Sequence, residues 1–263
     1  MVAGLLAEAA PANNWGAGDG VSTSSSPAVP KALIAPHAGY PFSGPIAASA
    51  YARLKPARDL IKRIVLLGPS HYVSLRGLAA SSAEAFATPL GAVPVDRRMV
   101  DQLAMAKRVQ VLDEAHQYEH SLEVQLPFLQ VVVEEFSLVP LVAGEATPEE
   151  IAQVLDLVRG GPETCIVVSS DLSHYLDIDT ARQLDAVTAE AIEGLNLQLV
   201  GDNQACGRIP IRGLLRFAAA HRMRAATLDL RNSGDTGGPR EKVVGYGAFA
   251  FYDDVLTAPQ TRC

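Results

Sequence analysis

Three short apolar segments of this chain are each followed within a few residues by a histidine. The segments are "ALIAP", "IVLLG" and "CIVVSS", and the histidines are His37, His71 and His174. These segments are rich in β-branched residues and do not alternate between apolar and polar positions. That pattern is typical of central strands in a parallel sheet, which is covered on both faces. The sequence therefore predicts buried parallel strands that carry imidazoles beyond their carboxyl ends.

Segments with helical patterns lie between the predicted strands. Thr147 to Glu150 form a capping box with proline at the first helical position, and this helix should stop at Gly160 and Gly161. Further helices are predicted over residues 43–54, 96–108, 121–134, 180–194 and 211–222. We therefore expect one α/β domain over residues 31–263, with a mixed, largely parallel central sheet flanked by helices. Residues 1–30 should form a short helix followed by a flexible segment rich in Gly, Ser and Pro.

Charge and cysteine content exclude several classes of partner. The net charge is −7, and the chain has no run of Lys or Arg, which argues against nucleic acid and against an anionic membrane surface. No stretch approaches the roughly 20 apolar residues that a membrane span needs. The three cysteines are an odd number at wide spacing, so they predict no disulfide framework and favour the reducing cytoplasm.

Ligands of open α/β sheets bind beyond the carboxyl ends of the strands. His37, His71, Asp171 and His174 all fall at such positions. One histidine after a strand is commonly a hydrogen-bonded loop residue, but three in the same arrangement favour a shared site. Imidazoles that converge with a carboxylate or a thiolate are typical of a divalent transition-metal site.

Cys206, in the glycine-flanked loop "DNQACGRIPI", is a candidate for the third metal ligand. A loop that opens toward a helix N-terminus and lies near a cation stabilises the thiolate, which is the form that binds metals. The alternative is that Cys206 is an inert, small core residue. The residues alone leave both interpretations open.

Three further residues are candidates for proton transfer. Asp171 and His174 are spaced D-x-x-H, so Asp171 could orient an imidazole while His174 acts as a general base; the alternative is an Asp that caps the following turn, which is common. His120 precedes a predicted helix and is either a proton donor or a helix cap. His116 and His221 are interpreted as solvated residues outside the site.

The ordered motifs "APHAGY", "GPSHY", "EHSLEVQLPFL", "SSDLSHY" and "ACGRIPI" resemble those of the Memo family. Bacterial and archaeal members of that family are often described as AmmeMemoRadiSam system protein B. The resemblance runs from about residue 31 to residue 252 and implies a fold similar to that of the class III extradiol dioxygenases, which use non-haem Fe(II).

The resemblance also implies roles for individual residues. The metal ligands of Memo proteins match His37, His71 and Cys206. The resemblance therefore favours Cys206 as a metal ligand over Cys206 as an inert core residue. Asp171 and His174 match residues that line the same pocket. Iron or copper is the implied metal, with Fe(II) favoured and zinc also compatible with this donor set.

Two features depart from the related patterns. Memo proteins usually begin with a Gly-Ser-Trp-Tyr-like segment that lines the pocket, and Trp15 in "NNWGAG" is not a convincing equivalent. The dioxygenases complete their metal site with a carboxylate, where this chain offers a thiol.

Three functions are expected from this reasoning. The favoured one is a non-haem metal oxidoreductase that acts on a small phenolic or enediol substrate. The second is a module that captures a peptide or phosphopeptide in the former catalytic pocket, as reported for animal relatives of the family. The third, held as minor, is a zinc hydrolase.

Overall fold

The structure is a computed structural model that describes residues 1–9 and 28–254. Eight α-helices are assigned in this part of the chain: α1 Val2–Glu8, α2 Tyr40–Tyr51, α3 Arg97–Met105, α4 Glu114–Gln117, α5 Leu126–Val132, α6 Pro148–Val158, α7 Ile178–Glu193 and α8 Arg208–Ala220. Eleven strands accompany them: β1 Ala32–Ala35, β2 Arg63–Pro69, β3 Leu78–Ala80, β4 Ala85–Thr88, β5 Gly91–Pro94, β6 Gln110–Val111, β7 Ser137–Ala143, β8 Thr164–Ser169, β9 His174–Leu176, β10 Arg224–Asn232 and β11 Val243–Tyr252.

Nine of the strands form one mixed sheet. Its order is β10-β11-β1-β8-β2-β7-β3-β6, with β9 paired to β11 and with β4 and β5 forming a separate hairpin. The central strands β1, β8, β2 and β7 are mutually parallel. The pairings of β10 with β11, β11 with β1 and β7 with β3 are antiparallel. The predicted mixed, largely parallel sheet is confirmed.

Helices cover both faces of the sheet, because successive residues of the central strands point to opposite sides. Ile34 and Val168 belong to the core that includes residues of α3, α6, α7 and α8. Leu33 and Val167 belong to the opposite core, which includes residues of α1, α2 and α5. The central strands are therefore apolar without alternation because neither face meets water.

Most predicted helices are present with shifted ends. The capping box of α6 forms as expected, since the Thr147 hydroxyl accepts from the Glu150 amide and the Glu150 carboxylate accepts from the Thr147 amide. The helix predicted over residues 121–134 is present with shifted ends, as a 3₁₀ turn at Glu123–Gln125 that leads directly into α5. Pro127 explains why the α-helix begins only there: its ring clashes with the preceding turn of an α-helix but is accepted in the first turn of a new one.

The short N-terminal helix packs onto the domain. Val2 and Leu6 of α1 are buried in the same apolar core as α2 and α5. The predicted flexible segment, including Trp15, falls largely in residues 10–27 and lies outside the described residues. Among the described residues, every helix is too short or too polar to cross a bilayer.

Candidate metal centre

The parallel strands β1, β8 and β2 are neighbours in the sheet, so their carboxyl ends meet at one edge. His37 follows β1, Asp171 follows β8 and His71 follows β2. Cys206 lies in the loop before α8, and its backbone amide donates to the Asp171 carbonyl. The structure thus gathers residues from four distant parts of the chain at this edge.

Three imidazoles converge there. The side-chain nitrogens that His37, His71 and His120 would offer to a metal all lie within 4.8 Å of one another. The rings of His71 and His120 are stacked at a centroid distance of 5.2 Å, and the His37 ring meets both edge-on. This spacing means that the three rings form a group that could hold a metal ion. His120, predicted for proton transfer, therefore lies with the two predicted histidine ligands.

The orientation of the His37 ring is fixed by a buried network. The Ser169 hydroxyl donates to the Ser121 carbonyl at 2.5 Å and accepts from Gln125 Nε2 at 2.8 Å. The amide orientation of Gln125 is set by the Tyr51 hydroxyl, which donates to Oε1. With its own proton already donated, the Ser169 oxygen accepts from His37 Nδ1–H at 2.9 Å. His37 Nε2 is then left as the nitrogen that faces Cys206 and that would bind a metal once it has lost any proton.

A buried carboxylate orients His71 in the same way. Glu119 accepts from the His71 backbone amide at 2.7 Å and from His71 Nδ1–H at 2.9 Å, and it also accepts from the Ser121 amide. Burial opposes the charge of Glu119, but these hydrogen bonds, those of His71 above all, lower its pKa to about 2. Hydrogen bonds with Cys206 and then Glu119 raise the pKa of His71 to about 10.

Cys206 lies against the imidazoles. Its sulfur is 3.3 Å from His37 Nε2 and accepts from the Asp171 backbone amide at 3.3 Å. Burial opposes ionisation of this thiol, but hydrogen bonds with His37 and His71 outweigh burial and lower its pKa to about 7. Cys165, buried inside β8, shows the opposite behaviour, since burial raises its pKa to about 12. Of the two described cysteines, Cys206 is therefore the one suited to ionisation.

Asp171 and His174 lie behind the cluster. Asp171 Oδ1 accepts from the backbone amides of His37 and Ala38, so this carboxylate fixes the turn that carries His37. The His37 ring itself is oriented by Ser169. Burial raises the pKa of Asp171 to about 6, against the opposing effect of these hydrogen bonds. His174 Nδ1–H donates to the Leu172 carbonyl at 2.8 Å, which leaves Nε2 to accept a proton.

A solvent-connected cavity of about 490 Å³ borders the cluster. Its wall includes His71, Tyr72, Asp202, Cys206 and Arg208. A cavity of this size accepts a small organic molecule. The cluster therefore has access to a ligand.

Sequence reasoning missed the residues that orient the rings. Glu119 was visible only as a charged neighbour of His120, and Ser169 as part of a strand end. Gln125 gave a usable signal, because it lies three residues after Leu122 and four before Leu129 and so interrupts the predicted apolar face; the structure buries it fully. The interpretation of His116 as solvated is wrong: its ring is buried, its Nε2 lies 3.2 Å from the Ala79 carbonyl, and burial lowers its pKa.

Comparisons with known proteins point to one family. The profile of the family described as "Memo-like protein" matches residues 18–250. A "MEMO1 family protein" of Aquifex aeolicus is 34% identical over 233 residues, covering 84% of this chain and 86% of the relative. One from Archaeoglobus fulgidus is 36% identical with the same coverage. One from Saccharolobus islandicus is 37% identical over 234 residues, covering 83% of this chain and 82% of the relative.

A solved structure shares the fold at much lower sequence similarity. The crystal structure of an uncharacterized protein from Escherichia coli K12 superposes with a TM-score of 0.51 and 16% identity. The match covers 81% of this chain and 98% of that chain. At this identity the likeness concerns the arrangement of strands and helices alone.

Proposed function

The chain belongs to the Memo-like protein family, and on that premise we propose that it binds a transition metal at the strand-end cluster and uses it in an oxidoreductase reaction on a small phenolic or enediol substrate. The observation that carries the proposal is the convergence of three imidazoles, with nitrogens within 4.8 Å of one another, beside an ionisable thiol.

The donor set fits such a metal. His37 and His71 each have Nδ1 engaged by a hydrogen-bond acceptor, which directs Nε2 toward the cluster. A metal-ligating imidazole in proteins generally has its other nitrogen held in this manner. Cys206 and His120 are the two candidates for the third donor. Imidazole and thiolate together suit Fe(II), copper and zinc, with Fe(II) favoured by the resemblance to the dioxygenase fold.

Metal uptake should release protons. Nδ1 of His71 donates to Glu119, so the second proton of its imidazolium lies on Nε2, where the Cys206 thiolate accepts it. A nitrogen binds a metal only after it has lost its proton. Metal binding at His71 and Cys206 should therefore release protons and strengthen as the pH rises.

His174 is the residue proposed to take a proton from the substrate. Its Nδ1–H is held by the Leu172 carbonyl, so Nε2 is the nitrogen that is free to accept the proton. When bound, a redox-active metal supplies Lewis acidity toward a phenolic oxygen and electron transfer with O₂. Asp171 keeps the His37 turn in place throughout.

Metal content is the first test. Protein purified without an affinity metal, reconstituted anaerobically with Fe(II), should hold one equivalent, and His37→Ala or His71→Ala should remove it. His221→Ala is a matched control, because this histidine pairs with Asp156 away from the cluster. Reconstitution of Cys206→Ala and His120→Ala with Co(II) then identifies the third donor, since a thiolate ligand produces charge-transfer absorption that an imidazole does not. Equal metal content in all variants would refute the site.

Activity is the second test. Oxygen consumption by the Fe(II)-loaded protein with a panel of catechols should exceed that of His37→Ala. His174→Gln should reduce kcat by about 10²–10⁴-fold, the range of general base catalysis, while leaving the metal content unchanged. Oxygen consumption equal to that of the metal-free variant would argue against an oxidoreductase, and stoichiometric zinc with hydrolytic activity would favour the hydrolase.

One observation favours peptide binding as a second candidate function. Tyr72 is 64% exposed at the cavity, with its ring centroid 6.4 Å from that of His120. Exposed tyrosines are common anchors in peptide recognition. A peptide that binds equally well to metal-free protein and to His37→Ala, but not to Tyr72→Ala, would support this function over catalysis.

A further inference from the structure

A second cleft adjoins the metal cavity and is lined by three arginines. It has a volume of about 470 Å³ and contains Arg76, Arg208 and Arg212. Glu145, Arg208 and Ile209 line both this cleft and the cavity that holds His71 and Cys206. Both spaces are open to solvent and share these residues as a common rim, so one elongated ligand could extend from one into the other.

The framework holds the arginines in place. The Gly77 amide donates to the Glu145 carbonyl at 2.8 Å, and the Glu145 amide donates to the Leu75 carbonyl at 2.9 Å, which fixes the backbone on either side of Arg76. Arg208 and Arg212 are four residues apart on α8 and so lie on the same face of this helix. The cleft is therefore formed by a hydrogen-bonded backbone segment and a helix, not by a loop that lacks backbone hydrogen bonds.

The charges in the cleft are not balanced. The Glu150 carboxylate accepts hydrogen bonds from the Thr147 amide and hydroxyl at the start of α6. Arg208 pairs with Asp202, whose side chain is 81% exposed, so the pair is weakened by solvent. Across residues 1–9 and 28–254, Arg76 and Arg212 form no ion pair. The cleft lining thus holds three arginines against the two carboxylates of Glu145 and Glu150, an excess of one positive charge in a protein whose net charge is −7.

Arg212 also has an unsatisfied donor. Its Nε is buried and has no hydrogen-bond partner among the described residues. Buried donors in folded proteins are nearly always paired, and a guanidinium whose Nε–H is free matches the two oxygens of a carboxylate or phosphate. The terminal nitrogens of Arg212 likewise form no hydrogen bond or ion pair among the described residues, so this guanidinium is free to turn toward an oxyanion in the cleft.

We propose that this arginine cleft binds an oxyanion, a carboxylate or phosphate, that forms the far end of the substrate whose hydroxyl group lies at the metal cluster. The proposal rests on the proposed function for the position of the reacting end. It narrows the substrate class from any small phenol or enediol to one that carries an anionic group.

The test uses metal-free, full-length protein and isothermal titration calorimetry with three probes: 3,4-dihydroxybenzoate, catechol and inorganic phosphate. The first two differ only in the carboxylate. We expect 3,4-dihydroxybenzoate or phosphate to bind and catechol to bind at least tenfold more weakly. Arg212→Gln and Arg208→Gln should each lower the affinity for the anionic probe by about tenfold or more, as expected for the loss of a charged hydrogen bond. Preference for one of the two anions identifies which oxyanion the cleft takes.

Arg216→Gln is the matched control, because Arg216 lies one turn farther along α8 and pairs with Glu149. Equal affinity for catechol and both anions, or equal loss in Arg216→Gln and Arg212→Gln, would overturn the proposal. His37→Ala separates this result from the metal site: it should lose the metal and keep anion binding. Circular dichroism of each variant excludes loss of fold as the cause.

Discussion

Replacing Ser169 with alanine should weaken metal binding without removing any ligand. The Ser169 hydroxyl is the acceptor for His37 Nδ1–H, accepts from Gln125 and donates to the Ser121 carbonyl. Gln125 Nε2 keeps a second acceptor at the Pro36 carbonyl, 2.9 Å away, so the unpartnered groups are the His37 ring and the Ser121 carbonyl. At about 1 kcal/mol for each net hydrogen bond, we expect the free energy of unfolding to fall by about 2–3 kcal/mol.

The effect on the metal is separate from this loss of stability. Without an acceptor at Nδ1, the His37 ring can rotate and its protonated nitrogen is no longer fixed. Loss of such a partner typically costs 10–100-fold in metal affinity, or about 1.4–2.7 kcal/mol. Competition with a chromophoric chelator measures the affinity, and urea unfolding of the metal-free protein measures the stability.

Ser81→Ala is the matched control. The Ser81 hydroxyl is also buried, donates to Asp113 and accepts from the Ala83 amide. Because β3 runs antiparallel to β7, the chain at Ser81 leads away from the sheet edge that carries the cluster. The substitution should cost similar stability with unchanged metal affinity. If Ser169→Ala binds metal as tightly as Ser81→Ala does, the argument that Ser169 orients the His37 ring is wrong.

Three further predictions concern buried charges. Glu119→Gln should lower metal affinity by about 10–100-fold, because the His71 ring loses its anionic partner. The same chelator competition measures the affinity, and an unchanged value would contradict the prediction. Lys31→Met should reduce the free energy of unfolding by about 3 kcal/mol or more, because the carbonyls of residues 159, 161 and 164 lose their shared ammonium donor. Urea unfolding measures this change, and a midpoint equal to that of wild type would refute the prediction. Burial raises the pKa of Asp185, so its ionisation destabilises the fold as pH rises above about 3.9, the unfolded value. Asp185→Asn should therefore be more stable than wild type at pH 7 and equal to it below pH about 3.9, and the opposite trend in urea midpoints would exclude this explanation.

The strands and their order along the chain could be predicted because their signal is local. A run such as "IVLLG" is apolar at every position, and only a strand covered on both faces needs this. Helix ends were less predictable, since neighbouring turns and packing decide them. Pro127 indicates where α5 begins, but the apolar face continues across residues 122–133 and therefore predicted an earlier start.

The candidate site was predictable as a set of strand-end residues but not as a geometry. That His37 and His71 meet follows from the adjacency of β1, β8 and β2, which the sequence does not specify. The place of His120 beside them depends on the loop before α5, where no periodic pattern exists. Ser169 and Glu119 are common polar residue types, and their importance arises only from what they contact after folding.

The donors of the cluster run from His37 to Cys206, a span of 169 residues, and no two of them are neighbours along the chain. An unfolded chain with this spacing offers no chelate, because closing such long loops is entropically costly. At the proposed site, a cation would therefore bind to the sheet once it has formed, unlike the metal of small zinc domains, which drives their folding. Added metal should accordingly raise the melting temperature in proportion to the logarithm of its concentration, since only the native chain competes for it.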